Sequence, residues 1–144
     1  MFRMNVVIAA CGADLPLGRR EKFPFIIFSE VEEMTITEYQ NLAMRTLNPQ
    51  LDRKDVLINS VMGLCGESGE AIDIVKKWLA QGHELDRERL VQELGDVAWY
   101  LAEAATALDV PLEQIFAGNI AKLKNRYPQG LETERSVTRL PGDL

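Results

Sequence analysis

The chain is poor in cysteine and histidine and contains no long apolar run. Its two cysteines, Cys11 and Cys65, lie far apart among 144 residues, which indicates reduced thiols in a cytoplasmic protein. No stretch approaches the ~20 consecutive apolar residues that a membrane-spanning helix needs, so we expect no membrane association. The single histidine, His83, excludes a di-iron centre built from Glu-x-x-His pairs.

A basic surface is also missing. The net charge is −6, whereas a general nucleic-acid binder needs cations that displace counterions, so we expect no nucleic-acid partner. The total charge leaves room for a small phosphate ligand, because a local cluster of cations or a bound metal can override it. With 47% apolar and 26% charged residues, the composition is that of an ordinary soluble globular protein with one domain.

Three segments of the chain differ in character. Residues 34–130 form the predicted helical domain, and residues 131–144 form a polar C-terminal tail. Residues 1–33 form a leader whose apolar run is about half as long as that of a secretion signal, so we predict no targeting role. Two interpretations of this leader stay open: an appended segment before a domain that starts near Met34, or two short strands, MNVVIAA and FPFIIF.

Four helices with short connections are predicted, which is typical of an all-α four-helix bundle. The first helix runs from about residue 35 to about 47, behind a capping box formed by Thr35 and Glu38. The second runs from about residue 53 to about 81, between Asp52 as N-cap and Gly82 as C-terminal stop. The third runs from after Asp86 to about residue 108, and the fourth from about residue 111 to about 127.

Four carboxylates interrupt the apolar surfaces of the second and third helices. Glu67 and Glu70 are three residues apart, and Glu93 and Asp96 repeat that spacing. None of them has a cation four residues later, and an ionised carboxylate buried without a partner costs several kcal/mol. Such acids on facing helices predict a bound cation. Because the ligands are all hard oxygens, we expect Mg²⁺, with Mn²⁺ as a substitute.

Other residues of the second helix have different explanations. Asp73 has Lys77 one helical turn later, which predicts a surface ion pair. Gly63, Gly66 and Gly69 recur inside this helix, and each costs up to ~1 kcal/mol relative to alanine. We therefore expect another backbone or a ligand to approach these glycines closely.

Apolar residues at helical spacing predict the buried faces. They continue almost all the way round the second helix, so we expect it to be buried against several neighbours. The predicted core positions of the third and fourth helices are Leu90, Leu94, Val97, Leu101, Ala105 and Leu108, then Phe116, Ile120, Leu123 and Tyr127. Asn119, Lys122 and Arg126 share another face of the fourth helix, which taken alone is typical of a solvated surface.

Two acidic motifs, Glu-x-x-Glu and Glu-x-x-Asp, are separated by 22 residues. They belong to an ordered set of three segments, which are GLCGESGEAID, ELGDVAWYLA and NIAKLKNRYPQG. This ordered set resembles the MazG-like all-α nucleoside triphosphate pyrophosphohydrolases from about residue 35 to about 130. The resemblance implies a helical catalytic domain that hydrolyses a nucleoside triphosphate to the monophosphate and pyrophosphate. Relatives assemble as homodimers or as homotetramers made of two dimers.

The resemblance also implies roles for individual residues. The catalytic and metal-binding acids would be Glu67, Glu70, Glu93 and Asp96. The substrate-binding residues would be Tyr100, which faces the base or sugar, and Asn119, Lys122 and Arg126, which meet the phosphates. We expect Trp78 and Trp99 to serve in packing or at an interface, with Trp99 directed away from the acids.

One position departs from the pattern of the family. Some members have a second glutamate that activates water beside the first motif, where this chain has Gly66. Two alternatives therefore stay open for the activation of water: coordination to the metal alone, or Glu67 acting both as metal ligand and as base. Two other functions are kept: a catalytically silent regulatory module that binds nucleotides, and an enzyme like phosphoribosyl-ATP pyrophosphohydrolase. Base and sugar preference, the number of metal ions and the choice between dimer and tetramer are not predicted.

Overall fold

The computed structural model describes residues 34–131 of the chain, and this part is helical. The elements are α1 (Ile36–Ala43), a 3-10 turn (Met44–Thr46), α2 (Arg53–Gln81), α3 (Arg87–Ala107) and α4 (Leu112–Arg126). The all-α prediction is confirmed for these residues. None of the described helices is long and apolar enough to cross a membrane. The expectations for residues 1–33 and for residues 132–144 lie outside the described residues.

The helix ends lie where the local sequence predicts them. Thr35 and Glu38 form the capping box of α1, and the Asp52 side chain accepts a hydrogen bond from the Asp55 amide, 2.8 Å away. Gly82 ends α2 with a φ of 73°, a left-handed conformation that glycine adopts without strain. The first helix is shorter than predicted, because the chain tightens into the 3-10 turn after Ala43.

The long helices α2 and α3 form an antiparallel pair, and α3 is the centre of the fold. Besides α2, α3 contacts α1 and α4, which also pack against each other. Gln40 of α1 joins these elements, because its Oε1 accepts from the Leu112 amide at 2.8 Å and its Nε2 donates to Thr106 Oγ1 at 3.0 Å. The first amide of α4 is thus satisfied by a side chain from α1.

The core is small and rich in alanine. Ala102 and Ala105 of α3 are fully buried with Leu112 of α4. Half-buried residues of α1, the 3-10 turn and α3 surround them: Ile36, Tyr39, Ala43, Met44 and Leu101. Alanines on α3 allow the neighbouring backbones to approach closely, which keeps α3 central.

The predicted core faces are only partly correct. Leu94 and Leu108 of α3 are 54% and 52% exposed, and Phe116, Ile120 and Leu123 of α4 are also exposed. Ala105 is buried as predicted, and the other buried positions of α3 are Glu93, Ala102, Glu103 and Ala107.

The expected all-round burial of α2 is also wrong for the single chain. Because α2 packs mainly on α3, a row of apolar residues on its other side stays exposed. These residues, which we call the outer face of α2, are Ile58, Val61, Met62, Ile72 and Leu79.

Candidate metal centre

Three of the four predicted acids come together where α2 and α3 face each other. Glu93 and Asp96 lie on the same side of α3 because they are three residues apart, and Glu67 reaches them from α2. One carboxylate oxygen from each residue lies within 4.8 Å of the others. Glu93 is buried, Glu67 is half-buried and Asp96 is exposed, so the cluster opens to solvent on one side. We call Glu67, Glu93 and Asp96 the acid cluster.

The charges of this cluster oppose one another. The pKa of Glu67 is raised, first by burial and then by the negative charges of Glu70, Asp96 and Glu93. A divalent cation would relieve this repulsion, and carboxylate oxygens are the ligands that Mg²⁺ and Mn²⁺ prefer. The residues present therefore fit the predicted metal.

Glu70 lies beside the acid cluster rather than in it. Its side chain is 57% exposed, and its Oε2 lies 3.6 Å from Nη2 of Arg89. The Nε of Arg89 also donates to Oε1 of Glu93 at 3.2 Å. The expectations that Glu70 is shielded from water, and that Glu70 and Glu93 lack cationic partners, are therefore wrong. Arg89 precedes Glu93 by four residues and reaches Glu70 from the other helix, so the spacing to cations four residues later does not reveal it.

Asp73 is separate from the site, as predicted. Its carboxylate pairs with Lys77, at 2.5 Å, and also with Lys76. Hydrogen bonds from Lys76 and then Lys77 lower the pKa of Asp73 to about 2. The predicted ion pair with Lys77 is confirmed, and Lys76 adds to it.

Tyr100 packs directly on the backbone of α2 at Gly63. A Cβ atom on Gly63 would lie only 2.0 Å from Cε1 of the Tyr100 ring. A close approach therefore exists at Gly63, but the Tyr100 side chain makes it and not the expected backbone or ligand. Apart from the backbone of α2 itself, no atom of residues 34–131 lies within 4 Å of the corresponding positions at Gly66 and Gly69, so the structure does not explain these two glycines.

The electrostatics place the Tyr100 ring next to the acids. Its pKa is raised by burial first, and then by the charges of Glu67, Glu103 and Asp96. The pKa of Tyr39 on α1 is also raised, by burial and then by Asp96. The charges of the acid cluster thus act on two tyrosines, of which only Tyr100 was a candidate from the sequence.

A polar pair that the sequence did not predict lies next to Tyr100. Glu103 of α3 is fully buried, and its two carboxylate oxygens accept from Nδ2 of Asn59 on α2, at 3.0 Å and 3.1 Å. Glu103 follows Tyr100 by three residues, and Asn59 precedes Gly63 by four. The two pairs therefore fix one alignment of α2 against α3. In the sequence, Glu103 stands in an alanine-rich run and resembles a surface residue.

The predicted phosphate-binding residues lie on α4, which packs on α1 and α3. Asn119 and Lys122 are exposed, and Arg126 is partly buried. Within residues 34–131 the structure shows no hydrogen bond or ion pair between these three residues and the acid cluster, so their roles stay predictions. The Nε of Arg126 is buried without a hydrogen-bond partner in this part of the chain, which is unusual for a buried donor.

Trp99 packs against the end of α1 and the turn after it, in agreement with its expected packing role. Its Nε1 donates to the Ala43 carbonyl at 3.1 Å and to Thr46 Oγ1 at 2.9 Å. Its ring meets Tyr100 edge to face, with ring centroids 5.0 Å apart. Trp99 thus supports the Tyr100 ring from the side of α1, whereas Trp78 is 38% exposed on α2.

Comparisons with known proteins cover the part of the chain that contains the acid cluster. The MazG nucleotide pyrophosphohydrolase domain family matches residues 58–131, which is half of the chain and includes all four acids. The Gene 37 protein of Mycobacterium phage L5 is 42% identical over 74 residues, covering 49% of this chain and 65% of that protein. The matched segment thus spans slightly less than two thirds of this relative's length. No solved structure matches the chain.

Proposed function

Because the chain belongs to the MazG nucleotide pyrophosphohydrolase family, we propose that it hydrolyses a nucleoside triphosphate to the nucleoside monophosphate and pyrophosphate, with Mg²⁺ as cofactor. The observation that carries this proposal is the acid cluster, whose three carboxylates lie within 4.8 Å of one another. Their repulsion, which raises the pKa of Glu67, supports a site that is completed by a cation.

Four acids would hold the metal in this proposal. Glu67, Glu93 and Asp96 supply oxygens that are already close together, and Glu70 is near enough to Glu67 to raise its pKa. Bound Mg²⁺ would neutralise phosphate charge and lower the pKa of a water molecule. With Gly66 in place of a second glutamate, Glu67 is the acid of this motif whose raised pKa supports a share in accepting the proton from water.

The substrate would lie between the acid cluster and the helices that flank it. Tyr100, held against Gly63 and Trp99, would present its ring to the base or sugar. Asn119, Lys122 and Arg126 would meet the phosphate chain. The buried Nε of Arg126 has no hydrogen-bond partner among residues 34–131, which supports this role because an anion would satisfy it.

We propose that the working form is a homodimer or a homotetramer made of two dimers. The outer face of α2 supports this assembly, since Ile72 and Leu79 are 67% and 77% exposed in the single chain. Apolar residues that follow one helix face in this way are typical of surfaces that another chain covers. Light scattering on the purified chain measures the number of subunits, and a monomer at every concentration would contradict the proposal.

A substrate panel tests the function. The full chain is assayed for pyrophosphate release from common nucleoside and deoxynucleoside triphosphates, some with damaged bases, and from phosphoribosyl-ATP, with Mg²⁺ or with EDTA. We expect Mg²⁺-dependent release from at least one nucleoside triphosphate. Release from phosphoribosyl-ATP alone would indicate the biosynthetic activity. Nucleotide binding without any release would indicate a regulatory module.

A further inference from the structure

Arg89 contacts two of the acids at the candidate metal centre, and the resemblance to the family implies no role for it. It lies in the first turn of α3, and its backbone amide donates to the carboxylate of the N-cap Asp86 at 3.0 Å. Its backbone is therefore held at the start of α3, while its side chain is 55% exposed. The side chain spans from Glu93 on its own helix to Glu70 on α2.

The two carboxylates that Arg89 contacts are two of the four proposed metal ligands. Arg89 contacts one oxygen of each, Oε2 of Glu70 and Oε1 of Glu93, and a bound cation would draw on the same two negative charges. In the metal-free protein Arg89 supplies one positive charge to a group of four acids, which reduces their mutual repulsion. Metal binding therefore works against the two Arg89 contacts.

A guanidinium released from Glu70 and Glu93 would stay beside the metal centre, because its backbone is anchored there. A nucleoside triphosphate brings several negative charges to this place. Arginine is suited to phosphate oxygens, since its planar group donates two parallel hydrogen bonds. The same side chain can thus pair with the carboxylates before metal and substrate bind, and with the phosphates afterwards.

We propose that Arg89 is an exchangeable cation of this site: it pairs with Glu70 and Glu93 in the metal-free protein and binds the phosphate chain when metal and substrate are present. This inference rests on the proposed function and adds a substrate-binding residue to it. It predicts opposite effects of one substitution on two measurements, whereas a residue needed only for folding would weaken both.

The test compares Arg89→Gln with the unsubstituted full chain. Mg²⁺ binding is measured by calorimetry without nucleotide, and the KM for the best nucleoside triphosphate is measured at saturating Mg²⁺. We expect the Kd for Mg²⁺ to fall about two- to fivefold, the scale of exposed ion pairs. We expect KM to rise roughly tenfold, the scale of a lost hydrogen bond to a charged group.

Two further variants complete the design. Lys76→Gln removes an equal charge that, among the described residues, pairs with Asp73 and not with the four proposed metal ligands. We therefore expect little change in the Kd for Mg²⁺ or in KM. Arg89→Lys keeps the charge but not the paired donors, and its KM should lie between those of Arg89→Gln and the unsubstituted chain.

Weaker Mg²⁺ binding by Arg89→Gln, or an unchanged KM, would overturn the role of Arg89 while leaving the proposed function in place. An unsubstituted chain that neither binds Mg²⁺ nor hydrolyses any nucleotide would overturn both.

Discussion

Gly63 and Tyr100 meet so closely that the tyrosine ring fills the space of a side chain on the glycine. A Cβ atom at Gly63 would lie 2.0 Å from Cε1 and 2.2 Å from Cζ of Tyr100. Real carbon atoms do not approach to that distance, so any other residue at position 63 must displace the ring. This contact connects the glycine-rich segment of α2 to the residue proposed to face the nucleoside.

Gly63→Ala should therefore weaken substrate binding. Alanine favours the helix by up to ~1 kcal/mol, but its methyl group would push the Tyr100 ring away from the acid cluster. We expect KM for the nucleotide to rise about tenfold, which corresponds to ~1.4 kcal/mol, with a smaller change in kcat.

Gly118→Ala is the matched control for this substitution. Gly118 lies inside α4, and in the described part of the chain only the helix's own backbone lies near the position of its Cβ. The control should gain helix stability without a change in KM. A Gly63→Ala protein with the KM of the unsubstituted chain would show that the Tyr100 ring does not set nucleotide binding.

The local features of this fold were predictable from the sequence. The capping box at Thr35, the N-cap Asp52 and the stop at Gly82 depend on neighbours a few residues away, and all three are present. The i, i+3 spacing of Glu93 and Asp96 also placed both acids on one face. What failed depended on packing between helices, because periodicity marks an apolar face without saying what covers it.

Leu94 and Ile72 show this limit, since both belong to apolar faces and both are exposed in the single chain. Contacts between helices were missed for the same reason. Asn59 and Glu103 are polar residues far apart in sequence, and only the antiparallel alignment of α2 and α3 joins them.

Removing charge from the acid cluster should abolish turnover and preserve the fold. Glu67→Gln and Asp96→Asn keep side-chain volume but lose a metal-binding oxygen charge, so we expect kcat to fall by more than about a hundredfold. Asp73→Asn is the matched control on α2, because Asp73 pairs with Lys76 and Lys77. Turnover is measured by pyrophosphate release, with circular dichroism to confirm helicity. A comparable loss in Asp73→Asn would mean that the two faces of α2 are wrongly assigned.

The stability of the metal-free protein should depend on the titration of Glu67. Because its pKa is raised above the ordinary 4.5, the folded protein holds this proton more tightly than the unfolded chain. The protonated Glu67 side chain therefore stabilises the fold fully at pH values below the ordinary pKa. This contribution is lost as the pH rises through the raised pKa of the folded protein. In EDTA, the melting temperature of the unsubstituted chain should therefore fall relative to that of Glu67→Gln as the pH rises from 4 toward 7.

Added Mg²⁺ should reverse this difference at pH 7, because binding to the folded state alone stabilises it. Thermal melts of both proteins with EDTA and with saturating Mg²⁺ provide the measurement. The contrary result is that the melting temperatures of the two proteins change in parallel with pH in EDTA and that Mg²⁺ does not change that of the unsubstituted chain. It would argue against a metal centre at Glu67.

Glu103 should respond differently to two substitutions. It is fully buried, and its carboxylate accepts from Asn59 rather than from a cation in the described part of the chain. Glu103→Gln keeps one oxygen acceptor for Asn59 at nearly constant volume, so we expect the free energy of unfolding to fall by less than ~1 kcal/mol. Glu103→Ala leaves a cavity and leaves the Asn59 amide without its acceptor, so we expect the free energy of unfolding to fall by ~2 kcal/mol or more.

Urea unfolding at pH 7 measures both effects of these substitutions at Glu103. A Glu103→Gln protein that is as unstable as Glu103→Ala would show that the charge itself is needed, through a partner beyond the described contacts.

The products formed from one nucleoside triphosphate test the central claim most directly. The purified chain is incubated with the best substrate of the panel and Mg²⁺, and phosphorus NMR follows the reaction. We expect nucleoside monophosphate and pyrophosphate in equal amounts, with no reaction in EDTA and none by Glu67→Gln. Nucleoside diphosphate with inorganic phosphate, or equal hydrolysis in EDTA, would contradict the assignment of this acid cluster as a metal-dependent pyrophosphohydrolase centre.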